Sequence, residues 1–200
     1  MQDRLLGIEI SDLGVTAARI GGNGAELIPL DGSASELSAF AQLTGQGEVI
    51  FGKNAFQQFH VSDIPIDNQY WYRLGGVEDA SSSKKGSKHQ PSDDDLAQTH
   101  LKAVLEKCLQ GGNAFDQIAL AVPGHFKSSK LGSITQAAQQ AGISVKHVLD
   151  NSLAGLLSAP AVPESESLWV VDLHWSTADV IRVDRSANAV ERTEVLSDRG

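Results

Sequence analysis

Apolar and polar positions change their period several times along the chain, and the clearest stretch runs from Asp116 to Ser158. Gln117–Val122 (QIALAV) is an unbroken apolar run of strand length closed by Pro123-Gly124, the pattern of a sheet buried on both faces. Leu131, Ile134, Ala138 and Ala141 then recur at spacings of three and four, which predicts a helix capped by Ser128 and ended by Gly142. Val145–Leu149 reads as a second short strand. Asp150 would cap a last helix with the apolar stripe Leu153, Leu156 and Leu157. Two strands joined through a helix should be parallel, with a right-handed crossover.

Upstream, Arg4–Ile10 and Val15–Ile20 read as two strands joined by a tight turn at Ser11–Gly14, with a third strand at Ala25–Leu30. Within Gly32–Gly76, Leu37, Phe40, Ala41 and Leu43 have the spacing of a short helix. Glu48–Phe51 suits a strand and Gly52–Phe59 a helix. Glu78–Pro91 is polar, Ser- and Lys-rich and aperiodic, so it cannot offset its ordering entropy and is expected to be a mobile surface loop. Ser92 is placed to cap a helix whose acidic first turn, Asp93–Asp95, suits the helix dipole. Leu96, Leu101, Val104, Leu105, Cys108 and Leu109 form its apolar face. Ser158–Ser167 reads as a connector. Leu168–Leu173 and Thr177–Val183 then flank a turn at His174–Ser176, and Ala189–Leu196 completes a meander.

With 41% hydrophobic residues, 200 residues are enough for a real core in one or two domains. A formal net charge of −9 argues against nucleic acid or an anionic membrane as partner. The one cysteine, Cys108, excludes an internal disulfide, suits a reducing compartment and sits where a buried structural thiol is expected. No apolar run has membrane-spanning length, and charge and glycine interrupt the amino terminus, so a cytoplasmic location is expected. The six histidines show no metal-ligand spacing.

The stretch AVPGHFKSSKLGSITQAAQQAGISVKHVLDNSLAGLLS resembles, without a gap, a segment of the DnaK-type heat-shock 70 kDa chaperone family. There a Val-Pro-x-x-Phe turn leads through an Ala-rich helix and an Ala-Gly turn into an Asn-Glu-Pro-Thr-Ala-Ala helix. The family belongs to the actin-like ATPases, whose two lobes are each built on a ribonuclease-H-like sheet. The expected fold class is therefore α/β. Three opening strands followed by a strand-helix pair is the order that such a sheet needs. The resemblance implies a first-lobe core at 1–31 plus 113–158, an inserted subdomain at 32–112 and the opening strands of a second lobe at 168–200. It also places a strand, not a helix, near Ala41. The remainder of the second lobe would lie beyond Gly200.

In that family two hairpin turns hold the ATP phosphates through backbone N–H groups, while strand-end carboxylates hold water and magnesium. Bare backbone is needed there, which is why glycine is usual. The first turn, usually Gly-Ile-Asp-Leu-Gly-Thr-Thr, is here Gly7-Ile8-Glu9-Ile10-Ser11-Asp12-Leu13. The second, usually Asp-Leu-Gly-Gly-Gly-Thr-x-Asp-Val, keeps Asp172, Leu173, Thr177, Asp179 and Val180 but replaces the glycines with His174-Trp175-Ser176. The resemblance makes Glu9, Ser11, Asp12, His174, Trp175, Ser176 and Thr177 the candidate ATP or ADP contacts. Glu9 with Asp172 is the candidate magnesium pair; the other reading keeps both as strand-end residues bonded to neighbouring backbone.

Several substitutions oppose catalysis. Asp12 facing a polyphosphate is repelled by roughly 1–4 kcal/mol unless a cation intervenes; alternatively it stabilises its own turn. Trp175 would intrude on the phosphate space or cap the cleft. Asn151 stands where the family has a glutamate that orders the attacking water, Tyr72 near the catalytic lysine, and Leu131 at a coupling arginine. The implied function is a chaperone-like or scaffold role with weak or absent ATP binding. The alternatives are a working ATPase with altered turns and an actin-like assembly protein. A meander apolar on both faces must be covered, so the chain is expected to self-associate, edge-to-edge or by exchange, or to fold the meander back on its own helices.

Overall fold

The computed structural model describes residues 4–21, 23–59, 61, 64–74, 91–126, 128–140, 143–158, 167–175, 177–185 and 190–199. The expectations for Glu78–Gln90, Ala141, Gly142, Ser176 and the connector at 159–166 lie outside those residues.

The chain is mixed α/β. Strands β1 (Leu5–Ile10), β2 (Gly14–Gly21) and β3 (Gly24–Leu27) open the main sheet. β1 and β2 are antiparallel, closed by a bond from Ser11 N–H to the Gly14 carbonyl at 2.9 Å. β3 is shorter than its apolar run suggests: Ile28 N–H still bonds the Ala17 carbonyl, but the chain then turns at the Asp31–Ala34 bridge. β4 (Glu36–Ser38), β5 (Ala41–Leu43) and β6 (Val49–Phe51) follow, then α1 (Lys53–Phe59), β7 (Ile66–Asp67) and α2 (Tyr70–Arg73). The helical spacing of Leu37, Phe40, Ala41 and Leu43 is thus overridden by pairing. β4 pairs with β2, and β5 pairs with both β6 and β7. Gly14 permits the first of these contacts, because a Cβ there would lie 2.5 Å from the Leu37 carbonyl oxygen.

α3 (Asp93–Leu109) begins with the expected cap. Asp95 N–H donates to Ser92 Oγ, Ser92 N–H donates to Asp95 Oδ2, both at 3.1 Å, and the box is closed. The acidic triplet is fully used within the fold. Arg73 pairs with Asp93 as well as Asp67, and Asp94 accepts from Ser133 Oγ. Replacing Ser92 with Ala is expected to cost about 1 kcal/mol in chemical denaturation, the usual loss for an N-cap. Along this helix Leu96, Leu101, Val104, Leu105 and Cys108 are buried. Leu109, expected on the same face, is exposed at the helix end, and His100 is fully buried instead. Burial pushes the Cys108 thiol up to about 12.

β8 (Gln117–Val122), α4 (Ser128–Gln140), β9 (Ser144–Asp150) and α5 (Asn151–Ser158) form the strand-helix-strand-helix unit. β8 is parallel to both β1 and β9, and the sheet runs β3-β2-β1-β8-β9. Ser128 is the first helical residue rather than the cap. Leu6, Ile8 and Ile10 of β1, with Ile118, Leu120 and Val122 of β8, share one buried core with Leu101 and Leu105 of α3 and Ile134 and Ala138 of α4. The sheet is not buried on both faces, contrary to the apolar run of β8. Gly7, Glu9, Thr16, Ala18, Ala119, Ala121 and Leu149 line an open groove of about 260 Å³ on the other side. Small side chains there make the run look continuous without enclosing it.

Asp150 Oδ1 accepts from Ser152 N–H at 2.9 Å at the start of α5. Ser152, rather than a leucine, is the buried residue of that helix, and Leu157 is exposed. β10 (Ser167–Leu173), β11 (Thr177–Arg185) and β12 (Val190–Arg199) form a separate antiparallel meander. Among the described residues no helix is long and apolar enough to cross a membrane.

Candidate functional site

The β1–β2 turn and the β10–β11 turn meet. Ser11 holds the first turn: its Oγ accepts from Leu13 N–H and Gly14 N–H at 3.2 and 3.3 Å. That leaves Asp12, itself buried, 3.9 Å from His174 Nδ1 across the gap. The His174 side chain is 4% exposed and has three carboxylates within 4 Å. Its Nε2 lies 3.2 Å from Asp172 Oδ2 and 3.7 Å from Asp179 Oδ2. The Asp172 contact is at hydrogen-bond distance though poorly aligned, and hydrogen bonding and charge together tie the pair. Asp172 first, then Asp12 and Asp179, raise the pKa of His174 against the opposing effect of burial. In return the His174 imidazolium lowers that of Asp172. Each partner therefore favours the charged form of the other.

The β8–α4 loop completes the enclosure. His125 Nδ1 lies 3.1 Å from Asp179 Oδ2, and the two imidazole rings meet edge-to-face with centroids 6.1 Å apart. Gly124 lets this loop approach, since a Cβ there would lie 2.6 Å from Asp150 Oδ2 and 3.0 Å from Ile181 Cδ1. Asn151 Nδ2 donates to the Ile10 carbonyl at 2.9 Å, tying the start of α5 to the end of β1. The carbonyl of Tyr72 accepts from Lys130 Nζ at 2.6 Å, and that ammonium also lies over the Phe126 ring. Leu131 packs against the core, as its helix face requires.

The candidate residues separate into two places. Asp12, Asp172 and His174 come together. Glu9 does not join them: it lies on the open face of the main sheet, accepts from Thr16 Oγ1 at 3.2 Å, and helps burial raise the pKa of Glu36. Ser11 serves its own turn. Trp175 is 72% exposed, so the residue that fills the space between the turns is His174 and not the indole. An imidazolium fits the gap and offsets part of the charge of its three carboxylates, whereas an indole supplies no charge. Thr177 opens β11, and Ser176 lies outside the described residues. His125 and Ser152 carried no sequence signal beyond their places after Pro123-Gly124 and Asp150.

Chemically the cluster is a charge lock. Ser152 Oγ donates to Asp172 Oδ2 at 3.2 Å, so a serine, a carboxylate and an imidazole are all present. Their order is wrong for nucleophile activation, because the carboxylate stands between the hydroxyl and the imidazole. A polyphosphate between the turns would meet Asp12, Asp172 and Asp179, and would have to displace the imidazole that stands among them. These residues do not fit such a group. Among the described residues no group of three or more His, Cys, Asp or Glu is placed to hold a metal ion. No protein-family model matches the chain.

Proposed function

We propose that the chain is the first lobe, with the opening meander of the second, of a divergent heat-shock-70-like nucleotide-binding domain. Its cleft is closed by its own side chains, and its role is that of a scaffold or chaperone-like module with weak or absent ATP binding and hydrolysis. The observation that carries this reading is the approach of His174 to Asp12, 3.9 Å across the two turns that would otherwise flank the phosphates. The strand order supports the ribonuclease-H-like part of the proposal. β1, β2 and β3 are antiparallel neighbours, and β8 and β9 run parallel to β1 with α4 between them. The amide of Asn151, spent on the Ile10 carbonyl, supports the absence of hydrolysis, since an amide cannot act as a general base.

Calorimetric titration of the full-length protein with Mg-ATP and a steady-state hydrolysis assay on it test the proposal. The expected results are no saturable binding below about 1 mM, some 4 kcal/mol of binding free energy or less, and no turnover above buffer. Micromolar binding, or hydrolysis at a rate typical of chaperones, would overturn it.

A further inference from the structure

The hairpin between β2 and β3 has its tip at Asn23-Gly24, the one place in the chain where a glycine follows an asparagine. Both residues are exposed, Gly24 holds φ +119°, and nothing lies within 4 Å of where its Cβ would be. No side chain of its own therefore shields the Gly24 nitrogen. The Asn23 carboxamide has no hydrogen-bond partner among the described residues. The other described asparagines are restrained. Asn113 Nδ2 donates to the Cys108 and Gln110 carbonyls, and Asn151 Nδ2 to the Ile10 carbonyl. Asn54 lies within α1, and the nitrogen that follows Asn68 donates to Asp67 Oδ1. The Gly21–Gly24 pair is the outermost of the hairpin, and all four residues of β3 are exposed, so the tip can open without disturbing the core.

We propose that Asn23-Gly24 is a self-modifying site, at which the chain converts its own asparagine to aspartate and isoaspartate with water as co-reactant. The Gly24 backbone nitrogen attacks Asn23 Cγ and forms a new C–N bond. The carboxamide nitrogen leaves as ammonia, and the proton it needs replaces the one that the Gly24 nitrogen loses to solvent. The product is a cyclic imide, which water then opens. Cleavage at the Cγ side gives aspartate. Cleavage at the main-chain carbonyl gives isoaspartate, whose backbone is one methylene longer. Either product adds a negative charge to a chain that already carries −9. The longer backbone no longer fits the turn that pairs Gly21 with Gly24, so β3 loosens from Ala18–Gly21 and uncovers that edge of β2. This chemistry is independent of whether the chain binds a nucleotide.

Incubation of the folded chain at mildly alkaline pH, followed by proteolysis and mass spectrometry, tests the proposal. The peptide that holds Asn23 is expected to gain one mass unit before any other asparagine peptide does, and fragmentation should place aspartate and isoaspartate at that position. An exposed hairpin tip opens at little cost, so the rate in the folded chain is expected to lie within about tenfold of that in the guanidinium-unfolded chain. Asn23→Gln, which keeps an amide but lengthens the side chain, should abolish the change. Amides of β3 should exchange faster in aged wild type than in the aged variant. Another asparagine reacting first overturns the proposal, and so does a folded rate slower than that tenfold limit. The wild-type measurements alone decide should the variant fold poorly.

Discussion

His100→Ala is expected to destabilise the protein by about 3–5 kcal/mol, read as a lowered midpoint in urea or guanidinium denaturation. The ring is fully buried and satisfies three polar groups from two elements, α2 and β4. Tyr70 Oη lies 2.6 Å and Trp71 Nε1 3.0 Å from its Nδ1, and its Nε2 lies 3.1 Å from the Leu37 carbonyl. An indole N–H can only donate, so Nδ1 accepts and the proton sits on Nε2. Phe51 stacks on the ring at 4.7 Å. Alanine would leave a cavity, a buried hydroxyl, a buried indole N–H and a carbonyl without their partner. His100→Phe should recover the packing but not the bonds, and fall between wild type and alanine.

The same burial depresses the His100 pKa from 6.5 to about 3. The unfolded chain therefore takes up a proton below 6.5 that the native chain refuses. Stability from this group is complete above that pH and falls by up to about 1.4 kcal/mol per pH unit until pH reaches about 3. Denaturation of His100→Phe across that range should show a correspondingly flatter acid limb.

His174→Ala has the second large effect. Removing the cation leaves Asp12, Asp172 and Asp179 facing one another, and breaking a buried charge pair costs several kcal/mol. Because Asp172 is partly open to solvent, about 2–4 kcal/mol is expected. The pH dependence has two limbs. The raised pKa of His174 supplies stability that is complete below the ordinary value of 6.5 and lost as pH rises through the folded value. The lowered pKa of Asp172 supplies stability present above 3.8 and lost as pH falls through its folded value. The stability difference between wild type and His174→Ala should thus be greatest between 3.8 and 6.5 and shrink on the alkaline side. A difference that does not change between pH 5 and 9 would mean that His174 is held by packing alone. Measuring both proteins at each pH removes the contribution of His100, which is common to them.

Local periodicity made the β1–β2 hairpin, the β8–α4–β9 crossover and the meander readable, since each is defined by residues close in sequence. Periodicity did not show β4 and β5, although the resemblance placed a strand near Ala41. Each is three residues long, too short for strand alternation to be told from helical spacing, and β4 reaches β2 because Gly14 lets it approach. His100 was hidden because a polar residue on a helix stripe gives no sign of the partners that satisfy it. The site was legible only in part. Asp12, Asp172 and His174 were named only through the resemblance, as nucleotide or magnesium contacts and not as partners of one another, and which residue of His174-Trp175 points inward depends on what faces it. That information lay in carboxylates distributed over 168 residues, from Asp12 to Asp179. Glu9 was misplaced for the opposite reason. Strand alternation assigns it to the open face of the sheet, away from Ile8 and Ile10, whatever chemistry its turn suggests.

The seam between β1 and β8 also governs how the molecule must assemble. Leu5 pairs with Gln117, and Arg4 with Asp116 grips the entrance to the seam across 112 residues of chain. Closing a loop of that length costs about 4 kcal/mol of chain entropy before any contact is returned. β1 and β2 can zip together as soon as they are made. The other edge of β1, with its unpaired backbone N–H and C=O groups, must wait until the ribosome has delivered Gln117–Val122. During that interval α3 and the β6-β5-β7 sheet can form around it, so the inserted segment folds ahead of the strand that completes the core. The middle of the main sheet is thus completed only after the inserted segment has been made, and until then the open edge of β1 is free to pair with a neighbouring nascent chain.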